Sequence, residues 1–276
     1  MFGSKLELKT EAQIRTMRRA GLVTRAALAA ARAASVPGAT TAEVDAAAAA
    51  VIAEAGARSN FKGYHGFPAV ACISVNEEIV HGIPGARVLE AGDLVSIDCG
   101  AIVDGYHGDS AFTLCVGGWE HASAADRRLS DITEESMWAG IVAFARAKRV
   151  GEIGAAIEEF ALAEAPDLGL LEDYTGHGIG TQMHMEPEVL NYRARNMGPK
   201  IRPGLCLAIE PMLVAGDIAS RTLDDDWTVV TVDGARAAHW EHTVARHERG
   251  IWVLTAEDGG AERLAAYGVT PVPLED

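Results

Sequence analysis

The chain opens with helical patterning and then changes character. Thr10 and Gln13 have the spacing of a capping box, and the apolar, alanine-rich run behind them stops at Pro37-Gly38. Thr40 and Glu43 repeat the signature, with Gly56 placed to end a second helix. Short runs dense in β-branched and apolar residues follow at Val70–Val75, Leu94–Ala101 and Ala111–Val116, and these predict strands. Helical periodicity returns over Ala124–Lys148 and Gly151–Ala165. Asn191–Pro203 is a polar loop, after which strand patterns recur at Leu205–Val214, Thr228–Val232, Ala237–Ala245 and Ile251–Leu254. The order helices, strands, helices, strands predicts an α+β fold with hairpin-joined strands. No low-complexity linker interrupts it, so 1–276 reads as a single domain with a mainly helical part over 1–60.

Composition narrows the function classes. Hydrophobic residues make up 49% of the chain, enough for a sizeable core, and 39 acidic residues against 24 basic ones give a formal charge of −15. Such a surface repels phosphate backbones, so direct nucleic-acid binding is not expected. Cys72, Cys99, Cys115 and Cys206 form no CxxC pair and lie among apolar residues, which predicts buried free thiols in a reducing compartment. The first residues lack a basic-then-apolar leader pattern, and the alanine-rich stretches are too short and too interrupted by charge to span a bilayer. A soluble, cytoplasmic protein without membrane contact is expected.

The segment Leu94–Ala111, LVSIDCGAIVDGYHGDSA, carries the first chemical signal. Asp98 stands within an apolar strand, where an ionised carboxylate is costly unless a cation or several donors meet it. Asp104-Gly105 is a strong two-residue hairpin turn. With that turn Val103 pairs with Tyr106 and Gly100 falls opposite Asp109. Asp98 and Asp109 then become diagonal neighbours on one face, roughly 7–8 Å apart at the backbone. Two acids so placed repel unless they share a proton or a metal. The plain alternative, a pair of turn-stabilising surface aspartates, suits Asp104 and does not suit Asp98.

Further along, His177 lies among Gly176, Gly178 and Gly180, with His184 seven residues beyond it; alone, this is a weak signal. Glu210 in LAIEPM and Glu241 in HWEHT each interrupt an apolar, strand-like run. One such Glu could be a structural ion pair, but two added to Asp98 and Asp109 are hard to treat as separate accidents. Four carboxylates balance two divalent cations. Oxygen-rich ligation with one imidazole suits Mn, Fe or Co, with Zn possible.

Taken together, Gly63–Pro84, Asp93–Asp109, Gly176–Pro187, Leu207–Met212 and Trp240–Thr243 resemble the type I methionine aminopeptidases. The resemblance implies the pita-bread fold: a pseudo-two-fold, curved antiparallel sheet covered by helices, with the metal site at its centre. It implies that Asp109 and Glu241 bridge two divalent metal ions, that Asp98 serves one ion, and that His177 and Glu210 serve the other. Glu210, His81 and His184 resemble the catalytic groups, His81 and His184 also contacting the substrate backbone. Tyr64, Phe67, Cys72, Met183 and Trp227 fall where the family lines its methionine pocket. Phe61 stands where many relatives have a cysteine, and Met183 where many have a phenylalanine. His65 and His107 read as groups that could orient ligands, His239 and His242 as mere neighbours of the motif, and His121 and His247 as surface residues.

The implied activity is removal of the N-terminal methionine from nascent chains at the ribosome, before a small second residue, by a monomer. Phe2 is not small, so Met1 would be retained. Prolidases and aminopeptidase P resemble the same cage, but usually with an extra N-terminal domain in place of the ~60 mostly helical residues here. A non-catalytic relative would typically lack cage residues, and all five are present.

Overall fold

The structure, a computed structural model, describes residues 6–274; Met1 and Phe2 lie outside the described residues. The first half contains α1 (Glu11–Ala34), α2 (Thr41–Glu54), β1 (Arg58–Ser59), β2 (Ala71–Val75), β3 (Glu78–Val80), β4 (Leu94–Val103) and β5 (Tyr106–Cys115). Both capping boxes form: Thr10 and Thr40 each accept the backbone N–H three residues on, and Gln13 and Glu43 reach back to the cap N–H. The two helices cover one face of the β4–β5 hairpin. Ala27, Leu28 and Ala31 share a buried cluster with Val95, Ile97 and Phe112. Strand alternation therefore turns Asp98 and Asp109 to the opposite, inner face.

The hairpin has the anticipated register, with Val103 opposite Tyr106 and Gly100 opposite Asp109. Asp104 and Gly105 have φ of 48° and 80°, the left-handed pair that a two-residue turn between twisted strands requires. Both strands run further towards the turn than the sequence pattern indicated, because Ile102 and Val103 pair with His107 and Tyr106 and keep the ladder going.

The second half contains α3 (Ala124–Arg146), α4 (Gly151–Glu164), β6 (Gly169–Leu170), β7 (Gly176–Gly178), β8 (Met185–Val189), β9 (Cys206–Ile209), β10 (Met212–Val214), β11 (Ser220–Thr222), β12 (Val229–Thr231), β13 (Ala237–His239), β14 (Glu241–His247), β15 (Gly250–Val253) and α5 (Ala261–Ala265). Met137, Ile141, Ile153 and Ile157 of α3 and α4 pack on Leu207, Ile209 and Val244. Fully burying each such side chain contributes about 1.5–3 kcal/mol.

One nine-stranded sheet joins the halves in the order β1-β4-β5-β14-β9-β7-β8, with β2 beside β4 and β15 beside β14. Its centre is the antiparallel contact of β5 with β14, where Glu241 pairs with Ala111 and His242 with Ser110. Two three-stranded sheets, β13-β10-β6 and β11-β12-β3, stand off it.

Two expected strands prove to be broken. Leu205–Val214 divides at Glu210-Pro211, and Ala237–Ala245 divides at Trp240. Pro211 has no N–H to give to a ladder, so the chain leaves the large sheet there and re-pairs in a small one. The β9–β14 pair lies on the large-sheet side of this break and the β10–β13 pair on the other. Glu210 and Glu241 sit at the junction. His247 is a correction of another kind: it is 2% exposed, with Nε2 2.8 Å from the Val272 carbonyl, so it is core rather than surface.

Candidate metal centre

Four elements deliver the candidate ligands to one cavity. Asp98 comes from β4, Asp109 from β5, His177 from β7 and Glu241 from the first position of β14, while Glu210 comes from the gap before Pro211. The flanking glycines of His177 have a steric cause. A Cβ at Gly176 would collide with the Ala208 carbonyl, and one at Gly178 with the Glu186 carbonyl, because β7 is clamped between β8 and β9. This holds the His177 ring in place, with its Nδ1 3.0 Å from the Gly178 carbonyl oxygen. Its Nε2 faces Glu210 Oε1 at 3.2 Å.

Ligand atoms of Asp109, His177 and Glu241 lie within 4.8 Å of one another, and so do those of Glu210, His239 and Glu241. Asp98 is in neither group but lines the same cavity. His239 is the unexpected member. Its Nε2 is 3.6 Å from Glu210 Oε2, and its ring is 1% exposed. The sequence signal available was its position two residues before Glu241, a spacing that puts both on one face of an extended chain.

The electrostatics are those of a site built for cations. Asp98 Oδ1, Asp109 Oδ1 and Glu241 Oε1 are buried without a hydrogen-bond partner. Burial, and then the charge of Asp109, pushes the Asp98 carboxyl well above the usual range; burial and the same neighbour do so for Glu241. Burial raises Asp109 to about 7. Burial alone would raise Glu210, but the hydrogen bond from His177 and the nearby His239 ring outweigh it and take the carboxyl down to about 2. Burial lowers the basicity of His177, but the Glu210 carboxylate reverses that effect and leaves its pKa raised. Orphaned carboxylate oxygens at this density are costly by several kcal/mol each unless a cation meets them. The donor set of four carboxylates and imidazole therefore fits divalent metals.

Around the cage lies a cavity of about 290 Å³. Its apolar end is a cluster of Phe61, Phe67, Cys72 and Met183, with Tyr64 and Trp227 packed against it. All the expected pocket residues are thus brought together. Phe67 and Trp227 meet edge-to-face at 5.1 Å between centroids, and Phe61 and Phe67 at 6.3 Å. His184 lies between the two regions: its ring centroid is 4.3 Å from that of His177, and its Nδ1 is 2.7 Å from the Tyr64 hydroxyl. His81 approaches Trp227 and Tyr174 at 6.0 and 5.8 Å. Its φ is 62°, a left-handed conformation that is uncommon outside glycine and is held here by the Gly82 N–H bond to Ser74 Oγ. Burial lowers both His81 and His184 to about 4, so both rings are neutral near pH 7.

The sequence model of metallopeptidase family M24 matches residues 15–248. The chain belongs to family M24, among the type I methionine aminopeptidases. It is 48% identical over 252 residues to methionine aminopeptidase 1 of Mycobacterium tuberculosis, covering 90% of this chain and 94% of that one. It is 47% identical to methionine aminopeptidase 1 of Bacillus subtilis over 219 residues, 79% of this chain and 86% of that one. The crystal structure of methionine aminopeptidase from Thermotoga maritima superposes with a TM-score of 0.86 at 37% identity, over 92% of this chain and all of that one. A prolidase from Pyrococcus furiosus shares the fold with a TM-score of 0.70 at 22% identity; it is covered over only 65% of its length. The family establishes the pita-bread fold, a metal-dependent aminopeptidase activity and removal of N-terminal methionine from peptide chains.

The remaining histidines sort by position. His65 is on the exposed rim with its ring against Tyr64, at 4.4 Å between centroids. His107 Nδ1 is buried without a partner two residues before Asp109 on the same strand face. Sequence reasoning missed Thr243. Its hydroxyl donates to the Asp109 carbonyl at 2.7 Å and accepts the Asp109 N–H at 3.0 Å, fixing the strand between two of the acids. All four cysteines are free and buried, as their apolar contexts implied. Among the described residues no helix is long and apolar enough to cross a membrane.

Proposed function

We propose that Asp98, Asp109, His177, Glu210 and Glu241 would hold two divalent ions, Co, Mn, Fe or Zn. The observation that carries this is the three orphaned, buried carboxylate oxygens of Asp98, Asp109 and Glu241 at one spot. When bound, such ions supply Lewis-acid polarisation of the first peptide carbonyl and a water made acidic at neutral pH. The protein's own groups do the rest. His184, neutral and anchored by the Tyr64 hydroxyl, donates to the oxygen of the scissile carbonyl as it gains charge. His81 contacts the substrate backbone. Glu210, ionised between His177 and His239, accepts a proton and passes it to the leaving amine.

The methionine side chain enters the cluster of Tyr64, Phe67, Cys72, Met183 and Trp227, where a thioether meets aromatic and sulfur surface. Phe61 closes that cluster with an aromatic ring. A small second residue is preferred, and the substrates are nascent chains met in the cytoplasm at the ribosome by a monomer. A Met-Ala-Ser peptide assayed with added Co or Mn tests the reading. Release of methionine is expected; cleavage of an X-Pro peptide without methionine release would overturn it.

A further inference from the structure

A second depression lies on the outer side of the sheet, directly behind the metal centre. Asp109 and Glu241 line the inner cavity, while their chain neighbours Ser110 and His242 line this outer one, of about 710 Å³. That volume is in the range of small-molecule pockets. Nothing in the aminopeptidase chemistry uses it.

Its walls are aromatic and cationic. Trp138 of α3 and His242 of β14 meet at 5.2 Å between centroids, and Phe112 and Trp240 at 6.5 Å. His242 Nδ1 is engaged by the Thr255 hydroxyl at 2.8 Å. Arg25, Leu28 and Arg32 follow one face of α1 at spacings of three and four and complete the wall.

Two arginines of α1 give this wall its charge. Arg263, which also lines the pocket, is already paired with Glu134 and Glu135. Among the described residues neither Arg25 nor Arg32 has a hydrogen bond or ion pair; the Arg32 guanidinium lies 4.1 Å from the centre of the Phe112 ring, with the Glu134 carboxylate near enough to favour its charge. Burial, and then the charge of Arg25, lowers the pKa of the Arg32 guanidinium, against the opposing pull of the Glu134 carboxylate. Two cations held side by side among aromatic rings, neither of them hydrogen-bonded to a carboxylate, form a receptor for an anion that also carries a ring. Glu257, Asp258 and Glu262 line the same pocket, which repels a long polyanion and favours a small one.

We propose that this outer pocket binds a small anion with a flat aromatic body, its charge on Arg25 and Arg32 and its ring among Phe112, Trp138 and Trp240. The site is independent of the metal cage and of the reading given to it. The test is calorimetry and tryptophan-fluorescence quenching on metal-loaded protein, with indole-3-carboxylate, its uncharged carboxamide and inorganic phosphate as probes. The carboxylate is expected to bind saturably at one site, with the carboxamide and phosphate each weaker by roughly tenfold or more. Arg25→Ala and Arg32→Ala should each weaken the carboxylate by roughly tenfold while the metal content stays that of the wild type. Arg25 holds no partner in the fold, so its variant separates lost binding from lost structure. Absence of saturable binding, equal affinity for the carboxamide, or unchanged affinity in the double variant would each overturn the proposal.

Discussion

Two pairs of chain neighbours, Asp109 with Ser110 and Glu241 with His242, stand across one strand contact and look out on opposite sides of the sheet. On the inner side the carboxylate oxygens are orphaned and their acidity is suppressed. On the outer side the two neighbours are satisfied: the Ser110 hydroxyl donates to the Glu241 carbonyl at 2.6 Å, and His242 is held by Thr255. The polar residues differ by one position, and strand alternation alone separates orphaned carboxylates that fit cations from a serine and a histidine that are already hydrogen-bonded. Unsatisfied buried charge, rather than polarity as such, is what distinguishes the functional face.

The largest expected effect comes from breaking that contrast at adjacent residues. Glu241→Ala should lower kcat/KM by about a thousandfold or more and release metal. His242→Gln, one residue away on the other face, should keep its metal complement. Metal analysis of both purified proteins checks this, and equal metal loss in the two would erase the distinction between faces. A smaller effect is expected at the strut between the faces. Thr243→Val removes both bonds to the Asp109 backbone. Roughly tenfold weaker metal binding and about 1–3 kcal/mol of lost stability should follow, read by metal titration and denaturant unfolding.

The smallest expected effect is one of pH. Burial, and then the charges of Arg25 and Arg263, lowers His242 to about 3. The unfolded chain then binds a proton that the folded chain refuses. The stability contributed by the neutral ring is therefore present above about pH 6.5 and lost as pH falls from there towards 3. In His242→Gln the fall in unfolding free energy between roughly pH 7.5 and pH 5 should be smaller by about 1–2 kcal/mol. An unchanged slope would mean that His242 is not held neutral by the fold.

The same contrast explains how much of the molecule could be read from its sequence. The β4–β5 hairpin was legible because Asp104-Gly105 fixes a turn, the turn fixes a register, and the register fixes which acids share a face. Both N-terminal helices were legible from their caps. Glu210 and Glu241 were visible as polar residues in apolar runs, but their convergence was not. It depends on where two strand pairs leave one sheet for another, a tertiary event marked locally only by Pro211. His239 reads from the sequence as a mere neighbour of the motif, and Thr243 was overlooked, for the same reason. Neither residue type nor spacing says which partner lies across a ladder, and His177 would have stayed an ordinary glycine-flanked turn without the resemblance. His247 shows the converse error, since a histidine near the end of a polar-looking strand is buried by the C-terminal segment at Val272.

The central proposal is that Asp109, with the other four cage residues, holds the divalent metal on which turnover depends. Metal content and Met-Ala-Ser turnover measured together on the wild type and Asp109→Ala test it most directly. The account predicts two ions per chain in the wild type, and loss of both metal binding and turnover in the variant. Full activity in Asp109→Ala, with both ions still bound, would contradict it.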